Sequence, residues 1–150
     1  MGKIIIIANQ KGGVGKTTTA INLSAALAQH RMKVLAIDCD PQGNCTSGLG
    51  IDKRKVKNST YQMIIGECDI KDCIQDSVID TLKVVPSSVE LAGADIELIG
   101  LPDKEHILQE KIKEVTDETR RPTIGPAIRI AKALNTTVEE LFSDVADMDD

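Results

Sequence analysis

The stretch KIIIIANQKGGVGKTTTAINLSAALAQHRMKVLAID, Lys3 to Asp38, decides the fold. Lys3 to Ala8 is a β-branched run with no polar alternation, the pattern of a strand buried on both faces of a parallel sheet. Thr17 to His30 is rich in Ala and Leu and contains no Gly or Pro, which predicts a helix with most of its circumference covered. Lys33 to Asp38 is a second apolar run and predicts a second buried strand. Strand, helix and strand in such quick succession form a βαβ unit, whose crossover makes the two strands parallel.

Between the first strand and the helix lies KGGVGKTT, Lys11 to Thr18. Gly12, Gly13 and Gly15 allow the backbone to curl so that successive N–H groups converge on an anion at the positive end of the helix. Lys16 adds a point charge for terminal phosphates, and the Thr17 hydroxyl is a hard oxygen suited to Mg²⁺. A dinucleotide fingerprint GxGxxG fails, because Thr18 stands where its last glycine belongs. The standard phosphate-loop pattern GxxxxGK[ST] lacks its first glycine, since Gln10 occupies that place.

Beyond this unit, Asp40 to Gly50 (DPQGNCTSGLG) is predicted as a surface loop. Ser59 caps a short helix that Gly66 ends, Thr81 to Val85 is a third strand, and Ser87 with Glu90 has capping-box spacing. HILQEKIKEV places Ile107, Leu108, Ile112 and Val115 on one helical stripe. After Pro122, residues Ile124, Ala127, Ile128, Ala131 and Leu134 also fall at helical spacing. A last helix is predicted behind Thr137, with Glu140 in capping register and Val138, Leu141 and Phe142 as its apolar face, before an acidic, fraying end.

Composition removes several classes of function. No apolar run approaches the roughly 18 residues of a membrane span, and no signal peptide or myristoylation motif opens the chain, so a cytoplasmic protein is expected. The net charge is −5, carried by residues 102–150, while residues 1–101 are balanced with eleven basic and eleven acidic side chains. Bulk-charge coating of nucleic acid is excluded. With no Trp, one Tyr and one Phe, there is no aromatic platform for stacking single-stranded bases. Cys39 and Cys45, and Cys68 and Cys73, lack the CxxC spacing of a zinc or redox site and are expected as reduced thiols.

With Lys11 directly before the glycines, KGGVGKTT resembles the deviant phosphate loop of the ParA/MinD family of ATPases, KGGxGK[ST]. VLAIDCDPQGNCTSGLG, TYQMIIGE and LKVVPSSVELAGADIELIG follow the order of ParA proteins, so the likeness runs from about Lys3 to Val115. It implies a P-loop α/β fold, a parallel sheet flanked by helices, with ATP and Mg²⁺ as cofactors. It further implies that Lys11, Gly12, Gly13, Val14, Gly15, Lys16, Thr17 and Thr18 bind nucleotide, Thr17 and Asp38 serve the metal, and Asp40 orients the attacking water. Lys11, Lys16 and Asp40 are then the catalytic set, Lys11 reaching a partner's ATP in an ATP-dependent homodimer. A centromere-binding partner of the ParB type, non-specific DNA, and a role in plasmid or chromosome partition on the nucleoid follow from the same likeness. A nitrogenase iron protein would require cluster-ligating cysteines in later glycine-rich segments, and MinD a basic amphipathic membrane helix, neither of which is present.

Two features depart from that pattern. The family's further apolar strand ending in DxxP, expected soon after HILQEKIKEV, is missing, which puts ATP hydrolysis in question and leaves the sheet one strand short beside the phosphate-loop strand. In its place RRPTIGPAIRIAKALNTTVEELF resembles the last two helices of a Cro/repressor-like helix-turn-helix domain, without the recognition helix. The expected division is therefore an incomplete nucleotide-binding domain over 1–115 and a helical pair with an acidic tail over 116–150, as in a truncated or hybrid reading frame. A non-catalytic nucleotide-binding or regulatory fragment is the alternative function. The basic cluster Lys53, Arg54, Lys55 and Lys57 is read as a solvated loop.

Overall fold

The computed structural model describes residues 3–99, 106–117 and 127–131. Its centre is a five-stranded sheet ordered β1-β5-β2-β4-β3. The strands are β1 (Ile4–Ile6), β2 (Val34–Cys39), β3 (Gln75–Asp76), β4 (Leu82–Val85) and β5 (Ala127–Ala131). All neighbours are parallel except β3, which pairs antiparallel with β4.

Strand β2 is buried along its whole length and divides the core by its alternation. Val34 and Ala36 face one side, where helix α1 (Lys16–Gln29) and the short α2 (Asn44–Gly48) cover them together with Leu82 and Val84. Leu35, Ile37 and Cys39 face the other, against α3 (Thr60–Ile65), α4 (Ile70–Cys73), α5 (Ala94–Glu97) and α6 (Ile107–Asp117). The result is helix, sheet, helix, with Leu108, Ile112 and Val115 of α6 buried at the predicted spacing. Helix α1 buries only the small residues Ala20, Ser24 and Ala28, an i, i+4 stripe that brings its backbone close to the sheet, so it is less covered than its composition predicts.

Ser59 and Gln62 form the capping box of α3, and Gly66 ends it at φ 84, as the sequence predicts. Ser87 is not a cap. Ser88 takes that position, and the segment that follows opens as a 3-10 turn over Val89–Gly93. The predicted loop Asp40 to Gly50 contains α2, which starts at Gly43 with no side-chain cap, so no local signal marks it.

Two larger expectations are corrected. Strand β1 is not buried on both faces: among the described residues it lies at the sheet edge, and Ile4 is 40 % exposed. Residues Ala127–Ala131 are not helical but form β5, parallel to both β1 and β2, with Ile5 and Ala36 both registered on Ile128. The slot beside the phosphate-loop strand is therefore filled. A helix there would leave the facing N–H and C=O groups of β1 and β2 unpaired, and the β-branched alternation of AIRIA suits a strand. Helix α6 runs to Asp117, and β5 belongs to the same sheet as β1. The helix predicted behind Thr137 and the acidic end lie outside the described residues.

Candidate functional site

Because β1 and β2 are parallel, the loop after β1 and the loop after β2 leave the same edge of the sheet. That carboxyl edge is where open α/β sheets hold ligands. The first loop reaches α1 through Gly13 (φ 72) and Gly15 (φ 87), left-handed positions that exclude ordinary side chains. A Cβ built on Gly12, Gly13 or Gly15 would project into open space, so the loop presents bare backbone over a clear volume.

Gly15 is the N-cap of the 14-residue α1 and supplies no side-chain cap. The leading N–H groups of that helix are left for a ligand, at the end where the helix dipole favours an anion. Lys16 is the first residue of α1, and its Nζ donates to the Lys11 carbonyl at 2.8 Å. Among the described residues that ammonium has no carboxylate partner. Lys11 is exposed, its backbone N–H held by Asn9 Oδ1 at 2.9 Å. Val14 at the loop tip is exposed, Thr17 is half-buried and Thr18 is exposed. An uncapped helix start, an open glycine cradle, an ammonium resting on the loop and a hydroxyl behind it fit a polyphosphate with a hard divalent cation. Among the described residues no cluster of His, Cys, Asp or Glu gathers into a protein-built metal site.

Asp40 begins the second loop, half-buried, with its Oδ1 accepting from the Gln42 N–H at 3.0 Å. Asp38 sits differently. It is 0 % exposed, and its Oδ1 accepts from the Asp40 N–H at 3.1 Å. Its Oδ2 accepts from the Thr46 N–H at 2.8 Å and the Thr46 hydroxyl at 2.6 Å. Burial raises the Asp38 carboxyl above its ordinary range, and the Thr46 and Asp40 donors pull back against that rise. Asp38 therefore braces the loop that carries Asp40.

The sequence reading missed Thr46. Its Oγ1 also accepts from the Ser87 N–H at 3.0 Å, joining the ends of β2 and β4. Thr60 adds a second tie, its hydroxyl donating to the Asp38 carbonyl at 2.7 Å. No local pattern marks either threonine, because their partners lie 8 to 41 residues away for Thr46 and 22 to 26 for Thr60. Thr46→Val is expected to lower stability by about 3 kcal/mol, since it strips a buried carboxylate and a buried N–H of their partner. Thr46→Ser should recover most of that loss, and urea midpoints measure both.

A family profile described as an AAA domain matches residues 2–119. The chain belongs to the ParA/MinD type of that family. It is similar to the sporulation initiation inhibitor protein Soj of Bacillus subtilis (strain 168), 48 % identical over 77 % of this chain and 46 % of Soj. Among solved structures, cobyrinic acid a,c-diamide synthase of Mycobacterium smegmatis with bound ADP and magnesium aligns at TM-score 0.77 and 30 % identity. That alignment covers 85 % of this chain and 50 % of the synthase. A putative plasmid partition protein of Borrelia burgdorferi B31 bound to AMPPNP aligns at TM-score 0.69 and 29 % identity, over 87 % of this chain and 54 % of its own. This ParA/MinD-type chain thus spans less than half the length of Soj and about half that of the two solved structures. No helix among its described residues is long and apolar enough to cross a membrane.

Proposed function

We propose that this chain binds MgATP on Lys11 to Thr18 and works as a nucleotide-controlled partition protein. The observation that carries the reading is the uncapped start of α1 behind a left-handed glycine loop, with Lys16 and Thr17 as its first two residues. In this reading Gly12 to Gly15 and the first turn of α1 supply N–H donors, and Val14 and Thr18 flank the phosphates. Lys16 leaves the Lys11 carbonyl for the terminal phosphates. Thr17 holds Mg²⁺, which neutralises phosphate charge when bound, and Asp38 serves the metal side of the site only by fixing Asp40. Asp40 turns its carboxylate from the Gln42 N–H towards the attacking water.

Lys11, exposed beside the loop, is assigned to the nucleotide of a second copy, which ties dimer formation to ATP. A ParB-type partner, non-specific DNA and action on plasmid or chromosome at the nucleoid belong to the same proposal, supported by likeness to Soj and to the Borrelia partition protein.

Binding without turnover is a second reading, favoured by one observation. The segment around β5 carries no Asp or Glu from Thr119 to Val138, so the strand beside the phosphate loop brings no carboxylate to the carboxyl edge. Asp40→Ala separates the two. Under the first reading it keeps the affinity for a fluorescently labelled ATP and loses turnover on the order of 100-fold, the scale of a lost water-orienting group. Turnover by the unchanged chain that stays at the buffer rate would establish the second reading instead.

A further inference from the structure

The spacing of Cys68 and Cys73 carries no known motif, yet the structure brings their Sγ atoms to 3.2 Å. Cys68 lies in the turn after α3, partly exposed, and packs on the edge of the core. Cys73 ends α4, is 0 % exposed, and sits in the core with Ile70 and Ile112. A disulfide needs about 2.05 Å between the sulfurs, a closure of roughly 1.2 Å between the turn after α3 and the last residue of α4.

The other pair has no such option. Cys39 packs on the α3 side of the sheet and Cys45 on the α1 side. Burial, with Asp38 beside it, pushes the Cys45 thiol up to about 12.

We propose that Cys68 and Cys73 form a two-cysteine oxidation site for peroxides, Cys68 meeting the oxidant and Cys73 resolving it into an intramolecular disulfide. The Cys68 sulfur attacks one peroxide oxygen, the O–O bond breaks, and the departing oxygen leaves as water with the proton Cys68 gave up. Cys68 is then a sulfenic acid. The Cys73 sulfur attacks the Cys68 sulfur, the S–O bond breaks, and the hydroxide takes the Cys73 proton and departs as a second water. Two thiols lose two electrons and one hydrogen peroxide becomes two waters.

Exposure sets the order of events. Peroxide reaches Cys68, whereas the Cys73 thiol, pushed well up by burial and by Cys68 beside it, keeps its proton until the sulfenic acid forms. Proximity substitutes for acidity in the second step. The bond would anchor α4 where Cys73 Sγ now lies 3.5 Å from the Ser59 carbonyl, the residue that caps α3. It therefore joins the cap of α3 to the turn that follows the same helix.

The test uses the full chain, purified reduced and treated with hydrogen peroxide, and reads intact mass and a non-reducing peptide map. The expected product is lighter by two hydrogens, carries one Cys68–Cys73 linked peptide, and returns to the starting mass with dithiothreitol. Cys68→Ser, at a partly exposed position, should lose that product entirely. In Cys73→Ser the Cys68 peptide should gain oxygen instead, which the wild-type map already makes unnecessary if that variant fails to fold. A Cys68 that stays reduced in the folded wild type, or a linkage to Cys39, Cys45 or a second chain, would overturn the proposal.

Discussion

Lys16→Ala is expected to weaken binding of a fluorescent MgATP analogue by on the order of 100-fold, because two or more charge-assisted contacts to phosphate are lost at about 1.5–3 kcal/mol each before compensation. A labelled nucleotide is required, since the chain has no Trp to report binding. The same substitution should leave the melting transition almost unmoved. Lys16 Nζ contacts one loop carbonyl at an exposed position, and such surface changes sit within about 0.5 kcal/mol. The pairing of a large affinity loss with an unchanged fold is what marks Lys16 as a ligand rather than a structural residue. Equal affinity in the variant would show that nucleotide is held elsewhere, and the reading of the glycine loop would fall with it.

A chain ended after Asp117 is expected to lose its cooperative unfolding transition. Among the described residues β1 meets the rest of the sheet only through β5, and β5 pairs with β2 along five positions from Leu35 to Cys39. Removing β5 exposes a ladder edge on each neighbour and detaches the strand that delivers the glycine loop. The cost should reach about 5 kcal/mol or more, comparable to the whole stability of a small domain. A milder probe is Ile128→Pro, which removes one central N–H and should cost about 3 kcal/mol. Were Ala127–Ala131 a helix on the surface, the shortened chain would melt as the intact one does. Thermal melts by circular dichroism distinguish the outcomes, and nucleotide affinity of the shortened chain should fall together with its fold.

These two predictions divide along the line between local and distant information. The βαβ opening, α1 almost to the residue, the α3 cap at Ser59 and its end at Gly66 were legible because their determinants sit within a few residues of one another. The left-handed glycine loop and the helix start behind it were legible for the same reason: Gly13, Gly15, Lys16 and Thr17 share one short stretch of backbone. AIRIA was not. Its apolar spacing satisfies a helix as well as a strand, and the empty slot between β1 and β2, built by residues some ninety or more positions earlier, decided between them.

Asp38 shows the same limit inside the site. Family likeness implies a role beside the metal but says nothing of its burial or of its Thr46 and Asp40 donors, which come from the fold. Ser87, paired with Glu90 by spacing alone, serves instead through its N–H on Thr46. The edge position of β1 depends on which strands pair with it, which no property of Ile4 to Ile6 encodes. The amino-acid sequence by itself determined the chemistry on offer: a glycine loop that admits phosphate, a lysine and a threonine at a helix start, and acids after the second strand. Only the tertiary structure decided which acid is buried among donors and which segment completes the sheet, because hydrogen-bond partners and burial are supplied by residues far away in the chain.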